Sequence, residues 1–437
     1  MRKVNWHVIP YLMICYIIAY VDRVNAGFAA LQMNGDIGLT AAMFGLGGTL
    51  FYIAYTAFEI PSNVAMAKVG PRIWMARIMI TWGMVGVLAA FVRNPTEYYV
   101  TRFLLGAAEA GFFPGALYYV SQWYPMTHRA RVVATFSVAV PLSLFIGSPI
   151  SGALMELNGL LGLRGWQWIF ILESIPAVLM GVFSIVFLVN RPADAKWLTA
   201  DERAWLVRTL DAEQAHKKHV GHMSLKQIVT NKYVVLFGII FAGASATSNS
   251  LALWMPQIIK SFHLTNLETA LTASIPYGLA CVAMVYWGRR TDRTGERVWA
   301  TAIPLAITSI CLASTNLTGS LTVTVALLSV ALAANYSIKG PFWSLVGTYL
   351  NTQTAAAGFA TVNTIAHIGT SITTSLIGVI RDRTGSFPLA LLSLVCLTTV
   401  GALLVAWLGD GERRAAGTDA PAPAPETAPA SALRGKT

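Results

Sequence analysis

Two distant stretches of this sequence place opposite charges in apolar surroundings. In "YIIAYVDRVNAGF" (16–28), Asp22 and Arg23 end a nearly unbroken apolar run that starts at Val8. In "TRFLLGAAEAGFFPGA" (101–116), Arg102 and Glu109 stand seven residues apart, two turns along one face of a helix. A charge at the centre of a membrane-spanning helix costs about 2.5–3.5 kcal/mol on insertion scales, so it has to do something in return. Arginine offers a carboxylate a two-pronged donor fork. A carboxyl beside it can take up and release a proton as its surroundings change. Together they could carry an anion and a proton across a bilayer. The spacing also allows a structural reading, in which Asp22 pairs with Arg102 and Arg23 with Glu109. Lys339 and His367, in later apolar runs, could each offer a donor to a second polar group on a substrate, although a long cation can also snorkel to the interface. Glu59 reads as a structural or gating group and Glu173 as a structural one.

These charges need apolar helices to hold them. The chain has 437 residues, 55% hydrophobic and 12% charged, with a mean hydropathy of +0.58. A soluble domain carries about 25% charged residues, so this chain is read as lying mostly in a bilayer, and a soluble enzyme is excluded. Apolar runs of about 20 residues, enough to cross the hydrocarbon core, fall near 8–28, 43–66, 73–92, 96–120, 132–155 and 167–189. They resume near 232–258, 267–287, 299–317, 320–349, 355–380 and 387–408. The expected fold is an all-α membrane protein of twelve transmembrane helices in two six-helix halves, 1–190 and 232–408. A cytoplasmic linker, 191–231, and a Pro/Ala-rich disordered tail, 409–437, complete it.

Lys and Arg number 31 against 20 Asp and Glu. They collect in alternate loops: Arg2 and Lys3, Lys68 and Arg72, Arg129 and Arg131, then Arg289 to Arg297. This places both termini and the linker in the cytoplasm and makes nucleic acid an unneeded explanation for the basic balance. Arg381 and Arg383, on the opposite side with Asp382 between them, run against the scheme. In the linker, Thr199 and Glu202 have capping-box spacing, so a short surface helix is expected. His216, His219 and His222 lack a carboxylate or cysteine to complete a ligand set, and no metal is expected. Cys15, Cys281, Cys311 and Cys396 read as small buried hydrophobes.

Two six-helix halves joined by a cytoplasmic linker resemble the plan of the major facilitator superfamily. "GRRTDRTGER" supports this: Gly288, Asp292, Arg293 and Arg297 match that superfamily's gating-loop pattern G-x-x-x-D-R-x-G-x-R. In the first half "NVAMAKVGPR" keeps Lys68, Gly70 and Arg72 but has Ala67 in place of the Asp. Within the superfamily, "YVDRVNAGFAALQMNGDIGLT", "FEIPSN", the Arg102–Glu109 stretch, "KGPFW" and "AAAGFATVNTIAHIG" resemble the anion:cation symporters, over about residues 5 to 407. Members take up tartrate, phthalate, hydroxyphenylacetate and sugar acids. The resemblance implies that Asp22 and Glu109 carry coupling protons and that Arg23 holds the substrate carboxylate. It places Arg102, Tyr20, Tyr55, Trp343 and Asn363 around the substrate as well. Members commonly have Asn where this chain has His367. The reading is thus a proton-coupled symporter of a small organic carboxylate, working as a monomer in a bacterial inner membrane, with protons as coupling ion and no other cofactor.

Two alternatives remain. A drug/proton antiporter of the same superfamily would often carry a fuller glycine–proline run than Gly147, Pro149 and Gly152, and a cavity arginine suits anions better than cationic drugs. A solute sensor that does not transport would need a signalling domain, for which the linker is short.

Overall fold

The computed structural model describes residues 1–217, 230–350 and 355–418. Among them every regular element is helical. The first half comprises α1 (Arg2–Ile37), α2 (Ala41–Val69), α3 (Pro71–Ala89), α4 (Pro95–Glu109), α5 (Phe112–Trp123), α6 (Met126–Met155) and α7 (Gly165–Phe187). After the surface helix α8 (Ala200–Lys217) come α9 (Lys232–Lys260), α10 (Asn266–Thr294), α11 (Val298–Ser314), α12 (Leu321–Ser337), α13 (Lys339–Tyr349), α14 (Ala355–Thr384) and α15 (Phe387–Thr418). The pairs α4–α5 and α12–α13 each form one broken span, which gives six spans per half.

Eleven of these spans are long and apolar enough to cross a membrane. The twelfth, α14, has 30 residues but carries Asn363, His367, Thr370, Ser371, Thr373 and Thr374 along its middle. Its polarity marks the side that faces the rest of the protein. Large apolar side chains are exposed on the outer surface, among them Val186, Val282, Leu403 and Trp407. That is the pattern for a lipid-facing surface, where every backbone group must be satisfied within its own helix.

Several element limits differ from the sequence expectation, each for a local reason. The first span runs well beyond 8–28 on both sides and stops only where Gly38 adopts a left-handed conformation, φ 72°. Much of the stretch 29–42 between the first two expected spans is therefore helix. Thr40 then caps α2, its side chain accepting from the N–H of Met43. The span expected at 96–120 is interrupted immediately after Glu109: Ala110 leaves the helical region and Gly111 takes φ 87°. A side chain at 111 would also collide with Ser62 of α2, so glycine is required there twice over. The span expected at 320–349 is divided more gently, at Ile338 just before Lys339, where the backbone keeps helical angles (φ −72°, ψ −20°). The last helix continues past 408 as far as Thr418, so the tail expected from 409 begins as helix; the remainder lies outside the described residues. Of the four cysteines only Cys15 is buried, and Cys396 is exposed on the lipid-facing surface.

Within the first half α1 packs on α6 and α7, α3 on α7, and α2 on α4; within the second, α9 packs on α14 and α15, α10 on α12, and α11 on α15. The halves meet along three pairs, α2 with α14, α6 with α10 and α1 with α9. The hydrogen bonds joining them lie toward the end of the bundle away from the chain termini, where α2 begins and α14 ends. The ion pairs on the side of the termini, Lys3 with Glu202 and Arg129 with Glu213, tie the first half to the surface helix α8. The linker's capping box forms as expected: Thr199 N–H donates to Glu202 and Glu202 N–H to the Thr199 hydroxyl. His219 and His222 lie outside the described residues.

Candidate functional site

Between the two halves lies a cavity of about 150 Å³, lined from both of them. Its first-half wall carries Tyr16, Tyr20, Arg23, Tyr55 and Glu109; its second-half wall carries Ser245, Asn249, Lys339, Trp343, Asn363 and His367. Eight of the ten substrate or proton residues read from the sequence therefore share this one space. Asp22 and Arg102 sit behind it, in a side chamber of about 30 Å³ that also touches Arg23 and Glu109. By volume that chamber can hold a water molecule or two.

Arg23 is the centre of the arrangement. Its Nη2 lies 2.9 Å from Glu109 Oε2. Its guanidinium is boxed by aromatic rings, 4.9 Å from the centroid of Tyr20, 5.6 Å from Tyr55 and 5.7 Å from Phe51. Such rings hold the cation over their faces without neutralising it. Glu109, only 2% exposed, ends α4 at the helix break. The broken span therefore brings a carboxylate, and a freed stretch of backbone, to the level of Arg23. The Nε of Arg23 is buried and has no partner.

Of the two structural ion pairs that the spacing allows, only Arg23 with Glu109 is formed. Asp22, 2% exposed, accepts instead from Asn25 Nδ2 at 2.8 Å and from the Ser174 hydroxyl at 2.9 Å. Arg102, 7% exposed, lies over Tyr98 at 5.3 Å and Phe170 at 5.7 Å and keeps Nη2 unpartnered. Glu173 is buried and accepts from the Ser151 hydroxyl at 2.7 Å, a helix-to-helix tie away from the cavity.

The opposite wall contributes donors. Asn363 and His367 share a face of α14, four residues apart, with Asn363 Nδ2 3.2 Å from His367 Nε2. The His367 ring stacks on Tyr52, centroids 5.7 Å apart, and lies 5.6 Å from Tyr55, so it touches the other half. It is 9% exposed, and its Nδ1 is buried without a partner. Trp343 packs among Phe241, Phe342 and Phe359. Lys339 Nζ lies 4.3 Å from the Tyr336 ring centroid.

The gating-loop residues are elsewhere. Lys68, Arg72, Gly288, Asp292, Arg293 and Arg297 lie at the end that carries the termini and do not line the cavity. Arg72 ties the start of α3 to the end of α7 through Ile185 and Asn190, all within the first half. Asp292 and Arg293 are exposed, and none of these six forms an ion pair among the described residues. Sequence reasoning also missed residues that do line the site: Tyr16, Ser245, Ser248, Asn249 and Tyr336. A signal for three of them was present in "SATSNS", residues 245–250, five polar residues out of six in the middle of an apolar helix.

Two six-span halves enclosing a charged cavity at their junction define a membrane carrier rather than an enzyme. A family model, the Major Facilitator Superfamily, matches residues 12–374, and the chain belongs to that superfamily. It is 46% identical over 405 residues to a protein of Agrobacterium vitis named as a tartrate transporter, covering 92% of this chain and 93% of the other. It is 34% identical to a quinolone resistance transporter of Acinetobacter baumannii, over 92% and 93% of the two chains. Among solved structures, the xylose transporter of Escherichia coli in a partially occluded inward-open conformation shares the fold. The TM-score is 0.75 at 12% identity, over 93% of this chain and 98% of that one.

Proposed function

We propose that the protein takes up a small organic carboxylate together with protons by alternating access, as a monomer in a bacterial inner membrane with both termini in the cytoplasm. The observation that carries this reading is the 2.9 Å Arg23–Glu109 pair in a cavity bounded by both halves. A substrate carboxylate can replace Glu109 on Arg23 while Glu109 takes up a proton. One anion is thereby exchanged for another at the same cation, and Arg23 is never left buried and unpaired, which would be costly. Asp22 is the second proton site in this scheme, reached through water in the side chamber. With both termini in the cytoplasm, the tie between α2 and α14 is what closes the carrier on its outer side. The relative named for tartrate supports a hydroxylated acid as the first candidate.

Uptake into proteoliposomes under an imposed pH gradient tests the reading, using tartrate, phthalate, hydroxyphenylacetate, galactonate and glucarate. Glu109→Gln keeps the shape and removes the titration. It should abolish accumulation yet permit binding and counterflow exchange. Arg23→Lys, which replaces a fork with a point charge, should weaken binding about tenfold. Concentrative uptake by Glu109→Gln at the wild-type level would overturn the scheme.

A second reading, efflux of a drug in exchange for protons, is favoured by the quinolone resistance relative. A cavity of about 150 Å³ is small beside the 300–1,000 Å³ usual for drug-sized ligands, and it presents arginine and lysine. Drug-resistance assays in an efflux-deficient host separate the two: a rise in resistance without acid uptake would establish efflux.

A further inference from the structure

Resting on the carboxylate reading above, the cavity's charge can be counted. Its lining contains two long cations, Arg23 from α1 of the first half and Lys339 from the start of α13 in the second. Among the described residues it contains one carboxylate, Glu109, which Arg23 holds. Lys339 has no carboxylate within ion-pair distance among the described residues. It is instead placed by the break at Ile338 and rests on the Tyr336 ring. A snorkelling lysine would reach the interface; this one lines the central space beside Asn249 and Trp343. His367, buried and with an unpartnered nitrogen, lines the same wall.

With Glu109 ionised the two cations exceed it by one charge. Once Glu109 is protonated the excess is two. We propose that the substrate is a small dicarboxylate bound as a dianion. One carboxylate displaces Glu109 from Arg23 and the other pairs with Lys339, and Glu109 takes up one proton as the dianion binds. No covalent bond changes; the proton comes from solvent and resides on Glu109 until the anion leaves. Because Arg23 and Lys339 belong to different halves, a dianion ties the halves together across the cavity. A monoanion on Arg23 leaves Lys339 facing a closing cavity with only an aromatic ring for company. The second carboxylate is therefore what permits closure, and selection for diacids becomes part of the transport cycle.

The test compares tartrate with its half-amide, which keeps size and hydroxyls and removes one charge. Binding is read by calorimetry on the purified full-length protein. Wild type should bind tartrate about 10- to 100-fold more tightly than the half-amide, the range for a hydrogen bond to a charged group. Lys339→Gln should bring tartrate down to the half-amide's affinity while the half-amide itself stays within about threefold, which also shows that the variant is folded. Lys339→Arg should restore the preference. Calorimetry in two buffers of different ionisation enthalpy should show one proton taken up per dianion in wild type and one fewer in Glu109→Gln. Equal affinity for the two ligands in wild type overturns the proposal and leaves the carboxylate reading standing. A preference that persists in Lys339→Gln also overturns it. Binding of neither ligand, nor of any acid in the uptake panel, overturns both.

Discussion

The seam at one end of the interface between the halves and the cavity at its centre are built from different chemistry. Away from the termini, α2 and α14 meet through small and neutral groups. The Thr49 hydroxyl donates to the Ser371 carbonyl at 2.7 Å and lies 2.7 Å from the Ser375 hydroxyl, while Gly45 and Gly378 bring the backbones together. One charge takes part, Asp382, and it accepts the N–H groups of Ala41 at 3.0 Å and Ala42 at 2.8 Å at the start of α2. The central cavity instead holds Arg23, Glu109, Lys339 and His367. Neutral hydrogen bonds are each worth about 1 kcal/mol net, because water replaces them when they part. The seam can therefore open at modest cost. Full charges cannot be closed away without partners, so the cavity can close on Arg23 only while an anion, Glu109 or a ligand, sits on it. A carrier needs this asymmetry: a reversible contact at one end and a charge-dependent one in the middle.

The most severe way to break the seam is to occupy the space that Gly378 leaves. A β-carbon there would collide with the carbonyl of Ala41 and come within 3.0 Å of the Ala42 Cα, both backbone atoms that cannot step aside. Gly378→Val should prevent closure of the seam and hold the carrier open at that end. Uptake should fall by about 100-fold or more, on the scale of overpacking a tight contact. Spin labels at the start of α2 and the end of α14 should report a longer separation than in wild type. Uptake near the wild-type rate would show that the seam does not form during transport.

A smaller effect is expected from Asp382→Ala. It removes a charged cap from the first turn of α2, a type of change that costs about 0.5–2 kcal/mol. Since the cap exists only while the seam is closed, the loss should shift the balance between the two facings by about 3- to 30-fold toward the open seam. Reactivity of a cysteine placed in the cavity, measured from the α2 start side, should rise accordingly; no rise would assign Asp382 to helix capping alone. Thr49→Val, nearly the same shape without the hydroxyl, should shift the balance in the same direction by only about fivefold.

These residues also explain what was legible from sequence. Twelve spans and two halves were visible because apolar runs of about 20 residues have few alternatives. Asp22, Arg23, Arg102 and Glu109 announced themselves as charges in such runs. The breaks at Gly111 and Ile338 were not visible, because glycine and isoleucine are ordinary residues in a spanning helix; only the approach of α2 makes a left-handed Gly111 necessary. The partners of Asp22 were hidden for a similar reason: Asn25 and Ser174 are neutral, and charge matching could offer only Arg102 as an alternative. Arg381 and Arg383 looked like exceptions to the loop-charge pattern. The structure gives the Asp382 between them a role that no count of positive charges could reveal.

The smallest expected effect lies at the other end of the molecule, where α8 rests against the first half. Lys3 and Glu202 form a 2.8 Å ion pair there, while Arg129 and Glu213 form another at 3.1 Å. The first pair is about half exposed and the second about four-fifths buried. The Lys3 ammonium and the Thr199 backbone hold the Glu202 carboxyl down to about pH 2. Whatever this pair contributes is therefore fully present above the usual glutamate pKa of about 4.3 and is lost only as pH falls toward 2. Between pH 5 and 8 it cannot change. Exposed pairs of this kind are screened by salt and contribute little, so Lys3→Ala should leave both uptake and the thermal midpoint at their wild-type values across that window. Arg129 is better placed: it also donates to the Tyr124 and Ser121 carbonyls, and Glu213 accepts the N–H of Met126. Arg129→Ala should accordingly loosen α8, read as faster amide exchange over Ala200–Lys217, where Lys3→Ala leaves it unchanged. If the two variants loosened α8 equally, burial would not be what distinguishes these pairs, and the exposed contact at Lys3 would anchor α8 as firmly as Arg129 does.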